Sequence, residues 1–185
     1  MPQLTALSIS IAVLGAVWSY LALGPLSGFV LVWAGFIAWG CFFHSGGDNK
    51  ALVKTIAGNA YGAFVAWIAF LILRYVPMSA LGAIWPAIVV GVTVFFLVIV
   101  ASVDALSVVP ANVYGYAALV AYTLHQPSVA GTGGQMGTGP QQSLTSASFA
   151  NPLVLLIVSL VIGALFGYAS GQLSKALAKP DAVAA

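Results

Sequence analysis

The chain has 185 residues and a mean hydropathy of +1.08; 62% are apolar, while only five are Lys or Arg and three are Asp or Glu. A formal net charge of +2 offers no basic patch for nucleic acid, and apolar runs that fill almost the whole length leave no room for a soluble catalytic module. No charge falls in the middle of a long apolar run, which marks an integral membrane protein whose single transmembrane domain takes in residues 1–185.

About 20 consecutive apolar residues cross the hydrocarbon core as a helix. Leu4 to Leu23 has that length, and since Met1-Pro2-Gln3-Leu4 lacks the cations that open a signal peptide, it is expected to remain as helix 1. Ser27 to Phe43, helix 2, is shorter, follows Gly24-Pro25 and carries Gly28, Gly35 and Gly40. Its solitary Cys41 reads as a small buried hydrophobe. Leu52 to Val76 and Leu81 to Val103 are helices 3 and 4. Ser107 to Leu124, helix 5, is again short and contains Pro110, Asn112 and Gly115. The uncharged Gly-, Gln- and Ser-rich run from His125 to Phe149 reads as a loop, Asn151 to Gln172 as helix 6, and 174–185 as a tail. A membrane barrel needs strands of about ten residues alternating in polarity, whereas these runs are apolar on every face. The expected fold is all-α, a polytopic membrane protein with six transmembrane helices.

Six spans put Lys50, Lys54, Lys175 and Lys179 on one side and Arg74 on the other, so the positive-inside rule predicts cytoplasmic termini and an external loop over His125 to Phe149. Laying Leu52–Trp67 on Leu153–Tyr168 pairs Gly62 with Gly163 and Ala63 with Ala164; laying helix 2 on helix 5 pairs Val32 with Val109 and Ala34 with Ala111. Two units of three spans, about 4–76 and 81–173, are thereby expected as an inverted repeat.

Gly58, Gly62 and Ala66 recur every helical turn on helix 3, as do Ser159, Gly163, Gly167 and Gly171 on helix 6. Such stripes let backbones approach closely in lipid, and helices 3 and 6 are expected to cross there, within one chain or between copies in a homo-oligomer. The alternative is a stripe that lines a path.

Paired short, Gly- or Pro-interrupted spans at matching positions point to a midplane site. The pathway candidates are therefore Trp33, Phe36 and Phe43 on helix 2, with Asn112, Tyr114, Tyr116 and Tyr122 on helix 5 and the mid-span amide Asn59 on helix 3. Core aromatics and interfacial belt residues are the plainer account of the same rings, and Asn59 has the alternative of bonding across to another helix. Asp104, near a span end, reads as a solvated terminus or the partner of a cytoplasmic Lys.

No nucleophile and base pair, paired carboxylates, metal-ligand spacing or phosphate-binding loop occurs, so neither catalysis nor a cofactor is expected. LVWAGFIAWGCFF followed by His44-Ser45-Gly46-Gly47, VVPANVYGYAALVAY, and NPLVLLIVSLVIGALFGYAS resemble small bacterial inner-membrane proteins of domain-of-unknown-function family one thousand and ninety-seven. That resemblance covers nearly the whole chain and implies a bacterial plasma membrane location, but supplies no substrate and no functional residues. Two functions are open: a channel or facilitator for a small neutral or weakly ionised solute, or a non-transporting scaffold or accessory subunit. The expected partners are the lipid bilayer, a small-molecule solute and further copies of the chain.

Overall fold

The computed structural model of the chain describes residues 1–124 and 144–178. Among them it is all-helical: α1 (Gln3–Leu23), α2 (Val32–His44), α3 (Asn49–Tyr75), α4 (Ile84–Ile99), α5 (Val109–Leu124) and α6 (Pro152–Leu177). Four helical segments are long and apolar enough to cross a membrane: Gln3–Leu23, Asn49–Tyr75, Ile84–Ser102 and Pro152–Leu177. At 1.5 Å per residue, α2 is about 20 Å long and α5 about 24 Å, both short of the roughly 30 Å hydrocarbon core.

The element bounds have local causes. Helix α2 starts at Val32 rather than Ser27 because Gly28 adopts φ +86°, which breaks the helix before it forms. Glycines 46 and 47, both at positive φ, turn the chain into α3, where the Asp48 carboxylate accepts from the Ala51 N–H at 2.7 Å as N-cap. Helix α4 ends at Ile99 and continues as 3-10 turns, Val100–Ser102 and Asp104–Leu106, so the fourth span is not one α-helix to Val103. Asn151 caps α6, with Pro152 in the first position. That helix runs five residues beyond the apolar stretch, to Leu177, since a backbone ladder does not stop where hydropathy falls.

The two most extensive helix contacts are α3 with α5 and α2 with α6; α1 lies on α6 and α4 on α3. The small-residue stripes make these contacts. A Cβ on Gly62 would overlap the Asn112 carbonyl, one on Gly163 would overlap Gly35, and one on Gly58 would stand 2.6 Å from the Ala111 Cβ. Gly167 packs on Trp39 and Phe42, while Ser159 accepts from the Leu31 N–H at 2.9 Å. The expectation that the stripes of helices 3 and 6 cross each other is thereby corrected. The glycines of each stripe face a short helix, because small residues on α2 (Ala34, Gly35, Ala38) and α5 (Ala111, Gly115) complete a close backbone approach, while Ala66 alone of the helix 3 stripe joins the core shared with α6. Helices α3 and α6 do meet, through the shared core of Ala63, Ala66, Leu156, Leu160 and Ala164.

Contact order gives the helix directions. Gly58 meets Ala111 and Gly62 meets Tyr116, so α3 and α5 run parallel; Gly163 meets Gly35 and Gly167 meets Trp39, so α2 and α6 do too. Thr93 with Tyr116 and Leu97 with Asn112 make α4 antiparallel to α5. Gly15 with Phe36 and Trp18 with Val32 make α1 antiparallel to α2.

Candidate functional site

With one face of α2 on α6 and one face of α5 on α3, the remaining faces of the two short helices converge on a groove of about 740 Å³. Helix α2 contributes Trp33, Phe36, Ile37, Gly40, Cys41 and His44, which recur at the three- and four-residue spacing of a single helical face. Helix α5 contributes Tyr114, Ala117, Ala118 and Ala121 at the same spacing. The rings of Trp33, Phe36 and Tyr114 alternate there with small residues, of which Cys41 and Ala118 are buried. Phe36 stacks on Trp39 with centroids 5.7 Å apart, which fixes one wall to the α2–α6 contact. At Gly40 a Cβ would meet nothing within 4 Å, so this glycine leaves open space in the groove.

The broken backbone before α2 is held by neighbours. No side chain next to its N-terminus caps it. The Leu31 N–H instead donates to Ser159 Oγ, whose own hydroxyl donates to the Leu155 carbonyl at 2.7 Å. The Trp18 indole N–H donates to the Val32 carbonyl at 3.0 Å, and that of Trp39 to Ser170 Oγ at 3.0 Å. The bond to Leu31 satisfies a backbone amide that neither lipid nor the helix ladder reaches, and the two indole bonds tie α2 to α1 and α6. Cys41, which lines the groove, is buried, and its Sγ lies 3.9 Å from Ser45 Oγ.

Of the eight residues expected to line a path, the fold brings Trp33, Phe36 and Tyr114 together in this groove. Phe43 does not line it; it packs edge-to-face on Phe42 beside the Trp18–Trp39 cluster. Asn112 and Tyr116 point the other way, toward α3 and α4. Asn112 Nδ2 donates to the carbonyls of Leu97 (3.3 Å) and Leu106 (3.1 Å), while the Tyr116 hydroxyl pairs with Thr93 Oγ1 at 2.9 Å. Tyr122 packs against the main core, and Asn59 is enclosed within the α3 contacts. The reason is angular: Tyr114 and Asn112 are two residues apart on a helix and so face different neighbours. The lining residues Ala117, Ala118 and Ala121 carry no polar or aromatic group and so were not among the expected path residues. Their spacing from Tyr114 was the available signal.

A family model described as protein of unknown function (DUF1097) matches residues 8–175. The chain belongs to that family. The matched span takes in both groove-forming helices of this DUF1097 member and the two long helices that carry them. No curated protein and no solved structure matches the chain.

At the N-terminal ends of α3 and α5, Lys54 Nζ lies 2.9 Å from Asp104 Oδ1 and 3.0 Å from Ser107 Oγ. The hydrogen bond from Lys54 and then its charge hold the Asp104 carboxyl below the ordinary carboxylate range, against an opposing effect of desolvation; Lys50 adds a weaker pull. Asp104 is thus the partner of a lysine in the DUF1097 fold, one of the two readings its position at a span end allowed.

Proposed function

We propose that this chain is a six-span membrane protein built as a 3+3 inverted repeat, and that it lets a small neutral or weakly ionised solute cross along the α2–α5 groove. The observation that carries this reading is the register of the groove. The alignment that lays Val32 on Val109 also lays Ile37 on Tyr114, Gly40 on Ala117, Cys41 on Ala118 and His44 on Ala121, all of them lining residues. A groove whose two walls correspond in this way lies at the junction of two related halves, where sites of inverted-repeat transporters form.

The packing supports the same exchange. The Gly62–Asn112 contact becomes Gly163–Gly35, α3–α5 becomes α6–α2, and α4 on α3 becomes α1 on α6. Helix α1 runs antiparallel to α2 as α4 does to α5, so the internal directions of the two units also correspond under this exchange. The groove lining is apolar and carries a single titratable imidazole, His44, so a neutral solute suits it better than an ion that must exchange its hydration shell for fixed charge. Both termini belong in the cytoplasm of a bacterial plasma membrane on this reading, and no catalysis is involved.

Gly40→Leu tests it. Leucine there meets open space and leaves the fold alone, yet fills the groove; solute flux in proteoliposomes should drop to near the empty-vesicle rate. Unchanged flux would remove the groove as the path. Exposed Phe36 (41%) and Tyr114 (37%) on the groove walls favour a second reading, an accessory subunit that seats a partner helix there. It takes precedence if wild-type vesicles pass no solute and the chain co-purifies stoichiometrically with another membrane protein, and Gly40→Leu then weakens that association.

A further inference from the structure

The seam between α2 and α3 carries a row of polar side chains that begins at Cys41, a lining residue of the groove. Ser45 Oγ donates to the Cys41 carbonyl at 2.8 Å and lies 3.9 Å from Cys41 Sγ, while Thr55 Oγ1 donates to Ser45 Oγ at 3.4 Å. That last distance exceeds the roughly 2.5–3.0 Å of a well-formed O–H···O bond. Thr55 is fully buried, and so is Asn59, one helical turn further along the same face of α3. Neither Oδ1 nor Nδ2 of Asn59 has a protein partner. Side chains on a helix lean toward its N-terminus, over the residue one turn earlier, which for Asn59 is Thr55. Cβ atoms at that spacing stand about 5–6 Å apart. The carboxamide and the hydroxyl are therefore neighbours, yet they make no bond to each other.

Packing alone does not call for polar groups here. In the register proposed above, Thr55 and Asn59 correspond to Leu156 and Leu160, and Cys41 and Ser45 to Ala118 and Tyr122. Leu156, Leu160 and Ala118 belong to the apolar core, with Tyr122 packed against it. One half of the chain thus fills this seam with hydrocarbon where the other encloses hydroxyls and an amide. The unpaired amide stands whether or not that register holds. Enclosing it is unfavourable, and lipid offers no replacement donor or acceptor.

We infer that a water molecule is bound between Thr55 and Asn59. Thr55 directs its proton to Ser45 and keeps lone pairs to accept with, while the free carboxamide offers both a donor and an acceptor. Water serves both: it donates to Thr55 Oγ1 and makes its second bond with the Asn59 carboxamide. Entry is from the lysine-bearing end of the fold, where Ser45 is partly exposed just beyond α2. Asn59 lies about 15 Å along α3 from Asn49, half the depth of the hydrocarbon core. The bound water therefore sits near mid-membrane, behind the α2 wall of the groove.

The test uses the full chain in phospholipid vesicles. Thr55→Val and Asn59→Leu each keep side-chain volume, and each should lower the unfolding midpoint by about 2–4 °C. The double variant should fall no further than the lower single, since either change already releases the shared molecule. Additive losses overturn the inference. So does an unchanged or raised midpoint in Asn59→Leu, because a bare buried amide gains from that replacement. A direct Thr55–Asn59 bond would couple the midpoints too, and a variant could fail to fold, so an experimental structure of the wild type decides in both cases. Non-protein density within about 3.2 Å of Thr55 Oγ1 and of an Asn59 carboxamide atom supports the site; a direct hydrogen bond between the two side chains, or an empty seam, overturns it. None of these readouts measures flux, so they judge the water site even if the groove fails as a path.

Discussion

Single side chains in this chain act mainly through the backbone groups they serve. Ser159 and Trp18 satisfy an amide and a carbonyl at the unwound start of α2, and Asn112 holds two carbonyls beside the 3-10 turns that precede α5. Lys54 and Asp104 join the starts of α3 and α5 at the surface. Because the folded-state Asp104 carboxyl titrates below its unfolded value, the pair's contribution is present above the ordinary carboxylate range and is lost as pH falls through the lowered value. Asp104→Asn should therefore lower the unfolding midpoint slightly at neutral pH, with the gap from wild type closing in acid. With Asp104 92% exposed, added salt should also shrink the gap. A gap that persists in strong acid would mean that the ion pair is not its cause.

At the scale of helices, glycine separates two kinds of surface. Gly62 and Gly163 face backbone carbonyls, which cannot swing aside, whereas Gly40 faces open space. Gly62→Leu and Gly163→Leu should each destabilise the fold by about 3 kcal/mol or more, read by thermal unfolding, while Gly40→Leu should stay close to wild type. Equal behaviour of all three would show that α3 and α5, and α2 and α6, do not approach as closely as described. Such close contacts matter in lipid because burying apolar surface against a neighbour helix gains little over burying it in acyl chains. The long helices α3 and α6 therefore serve as the supports on which α2 and α5, too short to cross the core unaided, are held.

For the molecule as a whole, the charges and the packing give one consistent sidedness. Lys50 and Lys54 start α3, Lys175 lies in the last turn of α6, and α6 runs parallel to α2, whose end leads into α3, so the three share one face; Arg74 ends α3 at the other. In intact cells a single cysteine at position 50 should be shielded from an impermeant thiol reagent and one at position 134, within the expected external loop, should react. The reverse pattern would invert the proposed orientation. Residues 125–143 of that loop and 179–185 of the tail, Lys179 included, lie outside the described residues.

Length and hydropathy alone determined the helical class, the four long apolar helices and the shortness of α2 and α5, because an apolar run of about 20 residues has few other options in a bilayer. Small-residue spacing likewise marked Gly58, Gly62, Gly163 and Gly167 as contact positions. What faces those positions was decided by the tertiary structure: a stripe says that something comes close but is equally smooth toward every neighbour, so α5 and α2, not each other, became the partners of α3 and α6. The same applies to α5, where periodicity separates Asn112 and Tyr116 from Tyr114 but cannot say which face meets α3 and which the groove. Only packing against Gly58 and Gly62 resolves that, turning the amide inward and leaving Tyr114 over the open groove.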